Sequence, residues 1–137
     1  MNATARLPLL FLGMLSLVIG VLAGLARLAI TMPPTATAQM GGHGALMISA
    51  FLGTVISLER AVALARGWPY LAPLCAGLGG LAMICGLNPM ATQAFSIAGG
   101  LVLSAGSLLI LRQQPAMYTT TLALGALSWL IGSVTWS

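Results

Sequence analysis

Residues 43–64 read His43-Gly44-Ala45-Leu46-Met47-Ile48-Ser49-Ala50-Phe51-Leu52-Gly53-Thr54-Val55-Ile56-Ser57-Leu58-Glu59-Arg60-Ala61-Val62-Ala63-Leu64. An imidazole opens the run, and the only other ionisable side chains, Glu59 and Arg60, come near its end. As a helix rising about 1.5 Å per residue, the run is about 33 Å long, enough to cross a hydrocarbon core of about 30 Å. It therefore predicts a membrane-spanning helix. A barrel strand fits less well, because such strands run about ten residues with alternating polarity.

The segments near 7–30, 69–87, 94–112 and 117–136 have the same apolar character. The fold class is accordingly all-α, a polytopic bundle of five transmembrane helices forming a single domain over residues 1–137. Composition agrees: 59% of residues are hydrophobic, 4% are charged and the mean hydropathy is +1.05. No water-exposed surface accommodates those values. The connectors carry breakers, among them Pro33-Pro34, Gly67-Trp68-Pro69, Asn88-Pro89 and Gln113-Gln114-Pro115. The run from Leu7 to Ile30 exceeds the roughly 7–15 residues of a signal-peptide core and reads as a retained helix. Because the last segment stops at a membrane edge, the chain also reads as a fragment of a longer bundle.

Orientation rests on arginine, since lysine is absent. With the N-terminus cytoplasmic, Arg6, Arg60, Arg66 and Arg112 fall at inner ends and only Arg27 at an outer one. His43 then lies at the outer boundary of a bacterial-type inner membrane. The net charge of +4 reads as anchoring to the lipid bilayer, with no basic cluster suited to nucleic acid. Trp68, Tyr70, Tyr118, Trp129 and Trp136 stand near segment ends and read as interfacial anchors. Gly20-x-x-x-Gly24, Ala72/Ala76/Gly80, Gly100/Ser104 and Gly125/Gly132 are small residues at spacings that let helix backbones approach.

The second helix carries the candidate site. At 100° per residue, Met47, Ala50, Thr54, Ser57 and Ala61 share the His43 face within about 40°, while Ile48, Leu52, Val55 and Glu59 lie opposite. Met40, His43 and Met47 are spaced i, i+3, i+7, a thioether and imidazole set suited to Cu(I). Haem iron is the other candidate, since neutral imidazole is an ordinary axial ligand. At the inner end Glu59, Arg60 and Arg66 form a candidate intramembrane ion-pair cluster, with Arg6 and Arg112 at the same level.

The string His43-Gly44-x-x-Met47-Ile48 resembles the second helix of the catalytic subunit of haem–copper oxidases, and the related NnrS-like haem- and copper-containing membrane proteins. That resemblance implies haem b with His43 as an axial ligand, serving electron transfer or gas sensing. The oxidases need several further histidines, and His43 is the only one here, so a bis-histidine haem would take its second ligand from another copy, another subunit, or a C-terminal half missing here.

Two other readings compete. One is a cofactor-free accessory subunit that packs against a membrane-protein partner, or a homo-oligomer, through its Gly/Ala faces and the Glu59 surface. The other is a small transporter component acting as an oligomer, with Thr54 and Ser57 as its polar positions. Enzyme chemistry is not legible, because the one histidine and the one acid lie at opposite ends of a helix.

Overall fold

The computed structural model describes residues 3–135, and these are all-helical with no strand among them. Helix α1 spans Ala3–Arg27, a short α2 spans Pro34–Ala38, and α3 runs His43–Leu64. A single 3-10 turn, Trp68–Tyr70, leads into α4 at Leu71–Ile84; α5 spans Pro89–Gln113 and α6 spans Met117–Thr135. Helices α1, α3, α5 and α6 are long and apolar enough to cross a bilayer, which supports a multi-pass membrane protein. The remaining apolar segment, Trp68–Ile84, is shorter.

The ends differ from the sequence expectation where local chemistry decides them. Helix α5 begins at Pro89, not near 94, because Asn88 caps it. The Asn88 side-chain oxygen accepts the Met90 amide at 2.9 Å, and a proline in the first turn loses no needed hydrogen bond. Helix α4 stops at Ile84, not 87, because Gly86 takes φ +69° and the Leu87 amide returns to the Ala82 carbonyl at 2.9 Å. That closure satisfies the terminal carbonyls and turns the chain. Helix α1 ends at Arg27 with the same geometry around Ala29, whose φ is 60°.

Packing follows residue size. The interior is built from Ala, Gly, Ser and Thr, including Ala23, Thr54, Ser57, Ala61, Ala72 and Ala76. Large apolar side chains point outward: Phe11 is 67% exposed and Ile131 63%. This inversion suits a lipid solvent, where close backbone approach holds helices together and large side chains meet hydrocarbon. The tightest crossing is at Gly80 of α4, where an added Cβ would collide with the Ser16 hydroxyl of α1 and stand 2.6 Å from Ala50 Cβ of α3. Buried hydroxyls close onto their own helices: Ser16 donates to the Leu12 carbonyl at 3.1 Å, and Thr54 to that of Ala50 at 2.6 Å.

Helices α1, α3, α4 and α5 share this core, whereas α6 packs chiefly on α5. Two tyrosine and tryptophan expectations are corrected. Tyr70 is buried in a cluster with Leu9, Leu58 and Ala61, and Trp129 turns inward onto Gly53, so neither is an interfacial anchor. Trp136 lies outside the described residues.

Candidate functional site

His43 is the first residue of α3, directly after Gly42. Its ring reaches across to α1, and Nδ1 lies 2.6 Å from the Gly20 carbonyl oxygen. A carbonyl only accepts, so Nδ1 carries the hydrogen and a neutral ring has its lone pair on Nε2. Among the described residues Nε2 has no hydrogen-bond partner. The ring fits because α1 offers glycine there: a Cβ on Gly24 would stand 2.8 Å from the ring Cε1. One turn away, a Cβ on Gly20 would meet the Met47 sulfur at 2.9 Å. The Gly20-x-x-x-Gly24 pair is thus a notch that receives His43 and Met47 together.

Met40 lies in the turn between α2 and α3, its amide donating to the Thr37 carbonyl at 3.2 Å. The same turn is tied to α4 by Gln39, whose side-chain amide donates to the Met83 carbonyl at 2.9 Å. Immediately after His43, residues Leu46–Leu52 wind as a π-helix, which the sequence did not signal. Such widened turns are rare and concentrate at functional sites.

A metal or haem is tested by this donor set. Among the described residues no three of His, Cys, Asp or Glu gather to hold an ion. Met47 directs its sulfur into the α1 notch, and the cavities at this end of the bundle are lined by Arg27, Gly44 and Ser49 or by Gln39 and Met83, not by His43. One imidazole nitrogen is available, and among the described residues no two further His, Cys, Asp or Glu side chains gather with it. Among the described residues, the donors gathered here do not by themselves complete a haem or copper centre.

The remaining predicted positions separate by face. Ala50, Thr54, Ser57 and Ala61 are all buried, so the small, weakly polar face of α3 is its inner one. Ile48, Leu52 and Glu59 are exposed, as is Arg66, and Arg60 is half-buried. The exposed face borders a cleft between α3 and α6. A cavity of about 470 Å³ at the His43 end is lined by Arg27, Gly44, Ser49, Trp129 and Gly132. A second, of about 240 Å³, continues it through Ile48 and Trp129 past Leu52, Ile56 and Gly125 to Arg60. Trp129 divides the two, its indole N–H directed at Ser49 Oγ at 3.4 Å. Sequence reasoning missed the cleft; Gly125 and Gly132 were its signal, read there only as a spacing that lets helix backbones approach.

A family model described as Domain of unknown function (DUF8744) matches residues 6–137. No curated protein and no solved structure matches the chain.

Proposed function

Because the chain belongs to the DUF8744 family, described as a domain of unknown function, its role rests on its own geometry, and we propose a cofactor-free accessory subunit of a membrane assembly. In this reading five segments cross the membrane, Trp68–Ile84 included, with the N-terminus on the cytoplasmic side and the Arg60 end of α3 facing inward. The observation that carries it is the α3–α6 cleft. Helix α6 packs chiefly on α5, and its Gly125 and Gly132 have no atom within 4 Å of the position a Cβ would take. Glycine inside a helix costs about 1 kcal/mol relative to alanine, so two unpacked glycines are best explained by a neighbour approaching the backbone there. His43 then serves as a lock between α1 and α3.

A second reading is favoured by the unpartnered Nε2. Metal-bound histidines commonly donate their other ring N–H to a backbone carbonyl, as His43 does to Gly20. Here the chain contributes one ligand to a haem b or copper completed by another subunit, for electron transfer or gas sensing. The transporter reading has less support, since Thr54 and Ser57 give their hydroxyls to carbonyls of their own helix.

The test is the reduced-minus-oxidised optical spectrum and metal content of the full chain, purified in mild detergent after expression with haem and copper in supply. The accessory reading expects a colourless, metal-free protein. A haem band or stoichiometric copper that disappears in His43→Ala overturns it in favour of the second reading.

A further inference from the structure

We propose that the occupant of the α3–α6 cleft is α3 of a second copy of this chain; the inference rests on the accessory reading and names the first partner of that surface. The exposed stripe Ile48, Leu52, Ile56 lines the cleft, and Glu59, also exposed, follows within about 60° of it around α3. Beside it Arg60 lines the apolar cavity half-buried, and no acid lines that cavity with it. A half-buried guanidinium against apolar walls calls for a carboxylate.

Charge complementarity identifies the donor. Glu59 is the chain's sole acid, and it neighbours Arg60 on the same helix, about 1.5 Å apart along the axis. Two copies inserted in the same orientation, related by a two-fold axis along the membrane normal, therefore bring Glu59 of each level with Arg60 of the other. The contact is isologous: each α3 enters the cleft of the other copy and lies against its α6. The facing wall is shaped for it. Gly125, Ser128 and Gly132 of α6 are exposed at i, i+3 and i+7, and Gly44 of α3 likewise meets nothing within 4 Å at its Cβ position. These positions let a helix approach to backbone distance. Within one chain the stripe and these glycines border unfilled space; in the dimer each fills the other.

The test uses the full chain with Cys75→Ala and Cys85→Ala, carrying Ile56→Cys or, on the outer face of α1, Phe11→Cys. Oxidative cross-linking in native membranes should give a dimer for Ile56→Cys and none for Phe11→Cys. In detergent, Glu59→Arg and Arg60→Glu should each weaken dimerisation about tenfold, and the double swap should restore it. Both singles change exposed or half-exposed groups, and the cross-link needs neither. A dimer that the double swap fails to restore overturns the reciprocal ion pair. A monomeric chain whose Ile56→Cys captures a different membrane protein overturns the second copy while leaving the accessory reading standing. A monomer that captures nothing overturns both.

Discussion

Nδ1 of His43 and the carbonyl oxygen of Gly20, 23 positions apart in the chain, meet at 2.6 Å across the α1–α3 crossing. The bond survives protonation of the ring, since Nδ1 carries hydrogen in both states. His43→Ala removes it together with the ring that fills the Gly24 notch. We expect a loss of about 1–3 kcal/mol, from one hydrogen bond and a partly buried side chain, seen as a lower thermal unfolding midpoint in detergent. An unchanged midpoint would remove the lock from the account of this site.

Gly24→Ala probes the same contact from the other side. Its new Cβ would stand 2.8 Å from the His43 ring, too close without a shift of either helix. Overpacking of this kind costs about 1–3 kcal/mol. In a His43→Ala background the ring is gone and alanine's better helix propensity, worth up to about 1 kcal/mol, should make the change neutral or favourable. Additive effects in this double-mutant cycle would show that the two positions do not touch.

A pair of glycine substitutions separates the core from the cleft. Gly80→Ala places a methyl against Ser16 and Ala50, where three helices meet, and should abolish or severely reduce folded yield. Gly132→Ala meets nothing within 4 Å in the single chain, so its folded yield and unfolding midpoint should be unchanged or raised when the protein is held monomeric. In native membranes the same change should weaken association, because the incoming backbone loses its closest approach. Equal sensitivity of the two positions in the monomer would contradict this assignment of open and closed faces.

The residues of this site were unequally legible in the sequence. The five apolar segments and the buried face at Ala50, Thr54, Ser57 and Ala61 follow from period and length alone, because a helix in lipid displays its pattern directly. Gly20 and Gly24 announced a close crossing, yet which side chains enter it depends on the rotation of α3. The π-helical turns of Leu46–Leu52 alter that rotation without any proline or glycine in the segment. Trp129 shows the other limit. Its place near a segment end suggested an interfacial anchor, whereas the glycine at position 53, far away in sequence, opens the pocket that draws it inward.

Trp129 also supplies a test of the cleft floor. Trp129→Phe loses the indole N–H directed at Ser49 Oγ, a long contact at 3.4 Å, together with the far indole carbons that reach Gly53, and should cost about 1–2 kcal/mol. Trp129→Ala exposes Gly53 to an unfilled space and should cost about 3 kcal/mol or more. A loss for phenylalanine as large as that for alanine in thermal unfolding would make the Ser49 bond, which both variants lose, and not ring packing, the function of this residue.

The end of α3 provides a change in the stabilising direction. Ala65 holds φ at 50°, a left-handed conformation that costs a residue bearing a Cβ roughly 1–2 kcal/mol and glycine almost nothing. Its amide donates to the Val62 carbonyl at 3.2 Å, closing the last turn, and substitution by glycine keeps that bond. Glycine is also freer in the unfolded chain, which offsets part of the relief, so Ala65→Gly should gain about 0.5–1 kcal/mol. Ala63→Gly, two residues earlier and inside the helix, should lose about 1 kcal/mol from the same chemical change. Opposite signs at two such close positions tie the effect to backbone conformation, since deletion of a methyl group alone would move both midpoints the same way.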